Sequence, residues 1–274
     1  MLQTHEIEST HLGASRRITV WVPPRGRGAS GNLHPVLYLN DGQNLFDPGR
    51  AFGGSTWRVA ETAGRLVRHG RIRPVIIVGI DHGGARRDRE YLPVEDESNP
   101  GARKPLGAQY AEFVTREVMP LIQQRYPAAR GASNTGFGGS SYGAVAALYT
   151  AIVKPGVFGR LLLESPSLYV GDEYLLRRAR AAERWPSRIY LGIGTAETNR
   201  PAINEEAVAN VRKLEALLRR RHFGPRRLLT VVDEGATHSE GAWAARLPRA
   251  LEYLYGYGGS GVDPNHEGEY GSEE

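Results

Sequence analysis

The 274-residue sequence contains no cysteine, only two methionines and, among its 35 basic residues, only three lysines. The missing cysteine excludes disulfide bonds, a thiolate nucleophile, zinc ribbons and iron–sulfur clusters. No apolar run approaches the 18 or so residues of a membrane span, so we expect no membrane partner. Residues 1–6 lack a charged segment followed by an apolar one, and we therefore expect no signal peptide.

The net charge of +5 is unevenly distributed along the chain. Residues 256–274 are glycine-rich and hold five acids without a basic residue, so residues 1–255 carry a net +10. We expect this acidic segment to be a tail outside the domain. The arginines are scattered and not interleaved with aromatic residues, so we expect no nucleic-acid partner. Arg86, Arg87 and Arg89 are an exception, and we expect them to form a basic rim that favours anionic acyl groups.

Short apolar runs alternate with helical patterns from residue 1 to residue 255, which predicts a single α/β domain. The expected sheet is mostly parallel, with eight strands, an antiparallel entry pair and helices on both faces. The predicted strands cover residues 5–12, 16–22, 35–40, 74–80, 134–139, 160–163, 188–193 and 227–232. The predicted helices cover residues 56–69 (capped by Ser55), 106–126 (with a kink or break at Pro120), 141–153, 203–222 and 241–255. Residues 81–105 are expected to form a long polar loop.

A G-x-S-x-G pattern at residues 139–143 predicts the nucleophile of a hydrolase. A serine on a sharp turn between a strand and a helix exposes its hydroxyl group, and small neighbouring residues make that turn possible. Residues 134–139 are a predicted strand and a predicted helix begins at Ser141, so the context agrees with the pattern. The alternative is a glycine-rich turn that carries an ordinary serine.

A serine hydroxyl needs a base within hydrogen-bonding distance, and a third group commonly orients that base. His238 follows the last predicted strand and is the candidate base. Glu197 follows the strand predicted over residues 188–193 and is the candidate acid. The order serine, acid, histidine is that of α/β-hydrolases. Asp233 and Glu240 are competing candidates for the acid because both lie near His238 in the sequence.

The developing oxyanion requires two backbone N–H donors. One candidate is the amide of Tyr142, directly after the serine, and the other is the amide of Gln43, in the loop after the strand at residues 35–40. Asp41 and Asp47 flank the second candidate, but no further acidic cluster supports a metal site there, so we predict no metal.

Five segments resemble the putative-esterase group of α/β-hydrolases: residues 38–47 (YLNDGQNLFD), 89–93 (REYLP), 117–122 (EVMPLI), 138–143 (GGSSYG) and 238–243 (HSEGAW). That group includes esterase D-like enzymes, siderophore esterases of the enterochelin type, and feruloyl or acetyl-xylan esterases of carbohydrate esterase family one. The resemblance covers about residues 16–255. It implies an α/β-hydrolase fold and ester hydrolysis without a cofactor by Ser141, His238 and Glu197, although many members of the group carry aspartate at the acid position.

These observations favour a serine carboxylesterase that acts on a small-molecule or glycan-linked ester, such as a feruloyl or acetyl-carbohydrate ester. A catecholate siderophore esterase, an acyltransferase with the same triad, and an inactive binding module of the same fold remain alternatives. The candidate substrate-binding residues are Asp41, Asn44, Trp57, Arg89, Tyr91 and Trp243. The sequence does not predict an oligomeric state or a compartment.

Overall fold

The computed structural model describes residues 1–24 and 33–257, and within these ranges eight strands form one sheet. The strands are β1 (Leu2–Ser9), β2 (Ala14–Trp21), β3 (Val36–Asn40), β4 (Ile76–Ile80), β5 (Thr135–Ser140), β6 (Arg160–Glu164), β7 (Arg188–Ala196) and β8 (Leu228–Thr237). Their spatial order is β1-β2-β4-β3-β5-β6-β7-β8. β2 is antiparallel to both of its neighbours, and every other pair is parallel. The predicted mostly parallel eight-stranded sheet is confirmed.

Helices cover both faces of the sheet. They are α1 (Gln43–Phe46), α2 (Val59–Arg68), α3 (Arg87–Tyr91), α4 (Gly107–Phe113), α5 (Met119–Arg125), α6 (Tyr142–Val153), α7 (Val170–Ala181), α8 (Pro201–Arg220) and α9 (Glu240–Tyr255). One apolar core joins the sheet to α4 through α8, and a second joins its other face to α2 and α9. β3, β4 and β5 are buried along their whole length, since they lie between the two cores.

Two helices differ from their predicted form. α2 begins at Val59 rather than directly after Ser55, because the amide of Trp57 donates to the Asn44 carbonyl and holds the intervening residues outside the helix. The helix predicted over residues 106–126 does not break at Pro120. A π-helical turn at Val114–Val118 joins α4 to α5 instead. A wider turn before a proline accommodates its missing N–H and its ring.

Three helices were not predicted. α1 and α3 are single turns, and α3 lies within the predicted loop at residues 81–105. In α7, Gly171 to Glu173 adopt left-handed conformations, and about two turns of ordinary helix follow them. Among the described residues, no helix is long and apolar enough to cross a membrane. The predicted acidic tail lies outside the described residues, apart from Gly256 and Tyr257.

Parallel strands bring their carboxyl ends to one edge of the sheet. The loops after β3, β5, β6, β7 and β8 meet at this edge, which is where ligands bind in open α/β sheets. The candidate catalytic residues follow three of these strands, so the topology alone places them on the same side of the molecule.

Candidate active site

Ser141 occupies a strained turn between β5 and α6. Its backbone has φ 55° and ψ −128°, a region that non-glycine residues rarely occupy. The Ser141 amide donates to the Glu164 carbonyl at 2.9 Å, which ties the turn to β6. A Cβ atom on Gly139 would lie 2.9 Å from the backbone of Gly143, so the two flanking positions are too close for side chains. This is the geometry that the G-x-S-x-G pattern predicts.

His238 and Glu197 form a hydrogen-bonded pair beside this turn. His238 Nδ1 lies 2.5 Å from Glu197 Oε2. The two competing acids are engaged elsewhere: Asp233 accepts from Arg246 at 3.1 Å, and Glu240 accepts from Asn44 at 3.0 Å. The structure thus brings Glu197, and not a neighbour of His238 in sequence, to the imidazole ring.

The environment of Glu197 keeps its carboxylate charged. Burial raises the pKa of Glu197. Hydrogen bonds from His238, from Ser165 and from the Gly194 amide lower it by more, so that the net pKa is below its ordinary value. An ionised carboxylate only accepts hydrogen bonds, which makes His238 Nδ1 the donor. The neutral imidazole then carries its lone pair on Nε2, the atom that a general base requires.

Ser141 and His238 line the same two cavities. The larger cavity, of about 620 Å³, also has walls from Ser98, Tyr142, Ser165, Ser167, Leu168, Tyr169, Glu197, Arg200, Glu206 and Asn210. The smaller cavity, of about 300 Å³, is also lined by Asp41, Asn44, Phe52, His82, Arg87, Glu240 and Trp243. Among the described residues, Ser141 Oγ has its side-chain hydrogen bond to Ser167 Oγ, at 3.4 Å, rather than to His238. Catalytic hydrogen bonds are often long or poorly aligned until substrate binds.

The two candidate oxyanion donors both begin helices. Tyr142 is the first residue of α6 and Gln43 is the first residue of α1, and a helix cannot satisfy the N–H groups of its own first turn. Tyr142 lines the larger cavity. Gln43 lines neither cavity, although its neighbours Asp41 and Asn44 line the smaller one.

Three of the six predicted substrate-binding residues line a cavity that Ser141 borders, and three do not. Asp41, Asn44 and Trp243 line the smaller cavity, whereas Trp57, Tyr91 and Arg89 line neither cavity. Trp57 is 3% exposed and packs against Trp243, with 5.8 Å between the ring centroids. Tyr91 is fully buried, and its hydroxyl oxygen accepts from the Asp41 amide. Trp57 and Tyr91 therefore belong to the core.

Two of the three arginines of the predicted basic rim pair with carboxylates. Arg87 binds the Asp41 carboxylate with two nitrogens, at 2.7 and 2.9 Å, and Arg86 pairs with the buried Glu90 at 3.1 Å. Asp41 thus pairs with Arg87, whereas Glu90 is shared between Arg86 and Arg16. Arg200, which the sequence analysis did not select, is the arginine that lines the larger cavity.

Several cavity residues were missed because they follow β6, a strand to which the sequence analysis gave no functional role. Ser165 and Ser167 come directly after it, and Tyr169 precedes α7. The rule that ligands bind at the carboxyl ends of parallel strands could have indicated them. Within the described ranges, no cluster of three or more His, Asp or Glu side chains is arranged to hold a metal ion.

The family model described as "Putative esterase" matches residues 9–254. The chain belongs to this family. The protein is accordingly a carboxylic ester hydrolase. It is 23% identical over 252 residues to protein YbbA of Bacillus subtilis (strain 168), which covers 90% of this chain and 96% of YbbA.

Solved structures share the fold of this esterase at low sequence identity. The enterobactin esterase FES from Shigella flexneri is 21% identical with a TM-score of 0.69, and the match covers 93% of this chain but only 59% of FES. The IroE-like serine hydrolase from Shewanella oneidensis is also 21% identical, with a TM-score of 0.73 and coverage of 93% and 80%. The siderophore hydrolase EstB from Aspergillus nidulans is 18% identical, with a TM-score of 0.71 and coverage of 93% and 94%.

Proposed function

We propose that this esterase is a serine hydrolase in which Ser141 is the nucleophile, His238 the general base and Glu197 the acid that orients the base. The observation that carries the proposal is that Ser141, on its strained turn, and the hydrogen-bonded His238–Glu197 pair border the same two cavities. This arrangement has the parts that acyl transfer through a covalent intermediate requires.

The reaction then runs in two steps. Ser141 Oγ forms a bond to the ester carbonyl carbon and its proton passes to His238 Nε2. The bond between that carbon and the alcohol oxygen breaks, and the departing alcohol takes the proton. Water attacks the acyl-enzyme, gives a proton to His238, and releases the acid as Ser141 recovers its hydrogen. The Tyr142 and Gln43 amides are the proposed donors to the oxyanion.

We propose a feruloyl, acetyl-carbohydrate or similar small acyl ester as the substrate. A volume of about 620 Å³ lies within the range of small-molecule sites, and Tyr142 and Tyr169 supply aromatic walls. The fold is also similar to that of a ferulic acid esterase, with a TM-score of 0.68 at 17% identity. A siderophore-type (catecholate) ester is the second candidate, since two similar structures are named as an enterobactin esterase and a siderophore hydrolase.

The nucleophile is tested with p-nitrophenyl esters from acetate to octanoate and with three purified proteins, the wild type, Ser141→Ala and His238→Ala. We expect each variant to lose at least about 10³-fold in kcat while it keeps the wild-type melting temperature. Wild-type activity in Ser141→Ala would contradict the assignment. A wild type that is inactive on every p-nitrophenyl ester and on methyl ferulate would favour a binding module. Methyl ferulate, acetylated xylan and a catecholate ester, compared by kcat/KM, then identify the substrate class.

A further inference from the structure

Ser165 lines the larger cavity beside the proposed acid and contacts it directly. It is the first residue after β6, it is 4% exposed, and its Oγ lies 2.7 Å from Glu197 Oε1. The indole Nε1 of Trp243 lies 3.0 Å from the same Ser165 oxygen. A buried chain of polar atoms therefore extends from Trp243 through Ser165 to Glu197.

We propose that Ser165 is a positioning residue that acts through Glu197, and that Trp243 sets the direction of its hydroxyl hydrogen. This inference rests on the proposed function. An indole N–H can only donate, so Ser165 Oγ accepts from Trp243 and has its single hydrogen left for Glu197. The direction of that hydrogen bond is fixed by the partners and not by chance rotation of the hydroxyl.

This hydrogen bond determines which carboxylate oxygen faces the base. Glu197 Oε1 accepts from Ser165 and, at 2.6 Å, from the Gly194 amide. Two donors hold this oxygen, and Oε2 is left to accept from His238. Without the Ser165 donor, one backbone amide alone would hold the inner end of the carboxylate, and a buried acceptor site would be unsatisfied.

Trp243 also contacts the other end of the pair. Its ring packs edge to face against His238, with 5.0 Å between centroids and 82° between planes. The ring limits the movement of the imidazole while the indole N–H holds Ser165. One side chain thus restrains both the base and the group that positions the acid.

The backbone at Ser165 provides a clean way to remove the hydroxyl. Its φ is 43°, in the left-handed region where glycine is less strained than any residue with a side chain. Ser165→Gly therefore removes the hydroxyl without the backbone penalty that usually accompanies a change to glycine. His222→Gly is the matched control, because His222 has φ 62° at the end of α8 and contributes to neither cavity.

With a p-nitrophenyl ester, we expect Ser165→Gly to lower kcat about 10- to 100-fold, the effect of one hydrogen bond to a charged group, with KM within about twofold. Trp243→Phe keeps the ring and removes only the N–H, and should lower kcat by less. His222→Gly should match the wild type. An unchanged kcat in Ser165→Gly, or a change confined to KM, would overturn the positioning role.

A double-mutant cycle separates positioning from a general structural effect. If Ser165 acts through Glu197, adding Ser165→Gly to Glu197→Gln should change kcat by less than about twofold. Losses that multiply would show that Ser165 acts independently, and would overturn the inference. Wild-type activity in Ser141→Ala would instead refute the proposed nucleophile. If Ser141→Ala is inactive and Ser165→Gly is fully active, the positioning role of Ser165 is refuted and the proposed nucleophile is not.

Discussion

Shortening the acid by one methylene group is the most direct test of the triad geometry. Glu197 spans two sites: its Oε1 meets Ser165 and the Gly194 amide at 2.7 and 2.6 Å, and its Oε2 meets His238 at 2.5 Å. All three distances are short, so a shorter side chain would lengthen at least one of these hydrogen bonds. An aspartate in Glu197→Asp can reach the inner donors or the imidazole, but not both.

The magnitude follows from the hydrogen bond that is lost. The bond from His238 to Glu197 is charge-assisted in the transition state, when the imidazole carries the proton from Ser141, and such bonds contribute about 1.5–3 kcal/mol. At about 1.36 kcal/mol for each tenfold in rate, kcat should fall roughly 10- to 150-fold in Glu197→Asp. Glu197→Gln should lower kcat by a larger factor than Glu197→Asp. Its amide NH₂ would face at least one of the three donors, which are Ser165, the Gly194 amide and His238, and its side chain has no negative charge.

The assay is steady-state hydrolysis of a p-nitrophenyl ester at saturation, with the active fraction measured from the burst of the first turnover. Asp233→Asn is the matched control, because this rival acid contacts Arg246 and not His238. We expect its kcat to stay within a few fold of the wild type. A kcat within twofold of wild type in Glu197→Asp, or a larger loss in Asp233→Asn, would refute the assignment of the acid.

Three further predictions concern the structure around the site. Gly194→Ala should lower both the melting temperature and kcat, because a Cβ atom there would lie 2.0 Å from the Ala236 carbonyl oxygen. Tyr91→Phe should destabilise the protein by about 1–3 kcal/mol in denaturant titration, because it leaves the buried Asp41 amide without an acceptor. The KM of Tyr91→Phe should equal that of the wild type. A raised KM would indicate that Tyr91 contacts the substrate. Burial raises the pKa of Glu164 from 4.5 to about 7, so its stabilising contribution is complete below pH 4.5 and is lost as the pH rises through 7. At about 1.36 kcal/mol per pH unit, Glu164→Gln should remove about 3 kcal/mol of pH dependence from the free energy of unfolding; an equal slope in both proteins would contradict the raised pKa.

Most of the fold was predictable because its signals are local. Buried parallel strands are continuous apolar runs, and β3, β4 and β6 stand out for this reason. β5, which precedes Ser141, is instead rich in glycine, and the G-x-S-x-G pattern indicated it. The proposed triad could be selected from the sequence because each member follows a strand, and chain order then selects among the histidines and the acids. Glu197 was the hardest of the three to predict, since Asp233 lies closer to His238 along the chain.

The substrate side was harder to predict because exposure depends on tertiary packing. Trp57, Trp243 and Tyr91 are all buried aromatic residues, yet only Trp243 lines one of the two cavities that Ser141 borders. No local pattern distinguishes them. Likewise, Arg86, Arg87 and Arg89 look like a basic patch in sequence, but Arg87 pairs with Asp41, which lies 46 positions away along the chain.

The backbone of β7 accounts for a glutamate at the position of the proposed acid. The pairing of β7 with β8 shifts register between Gly194 and Ala196, and Gly194 approaches Ala236 too closely for any side chain. Glu197 folds back over this bulge, so that its carboxylate meets the amide of a residue three positions earlier in its own chain. An aspartate lacks the length to turn back to Gly194 and still reach His238 across the sheet edge. The extra methylene group of Glu197 therefore compensates for the bulge, and a change that flattened the bulge would favour aspartate at this position.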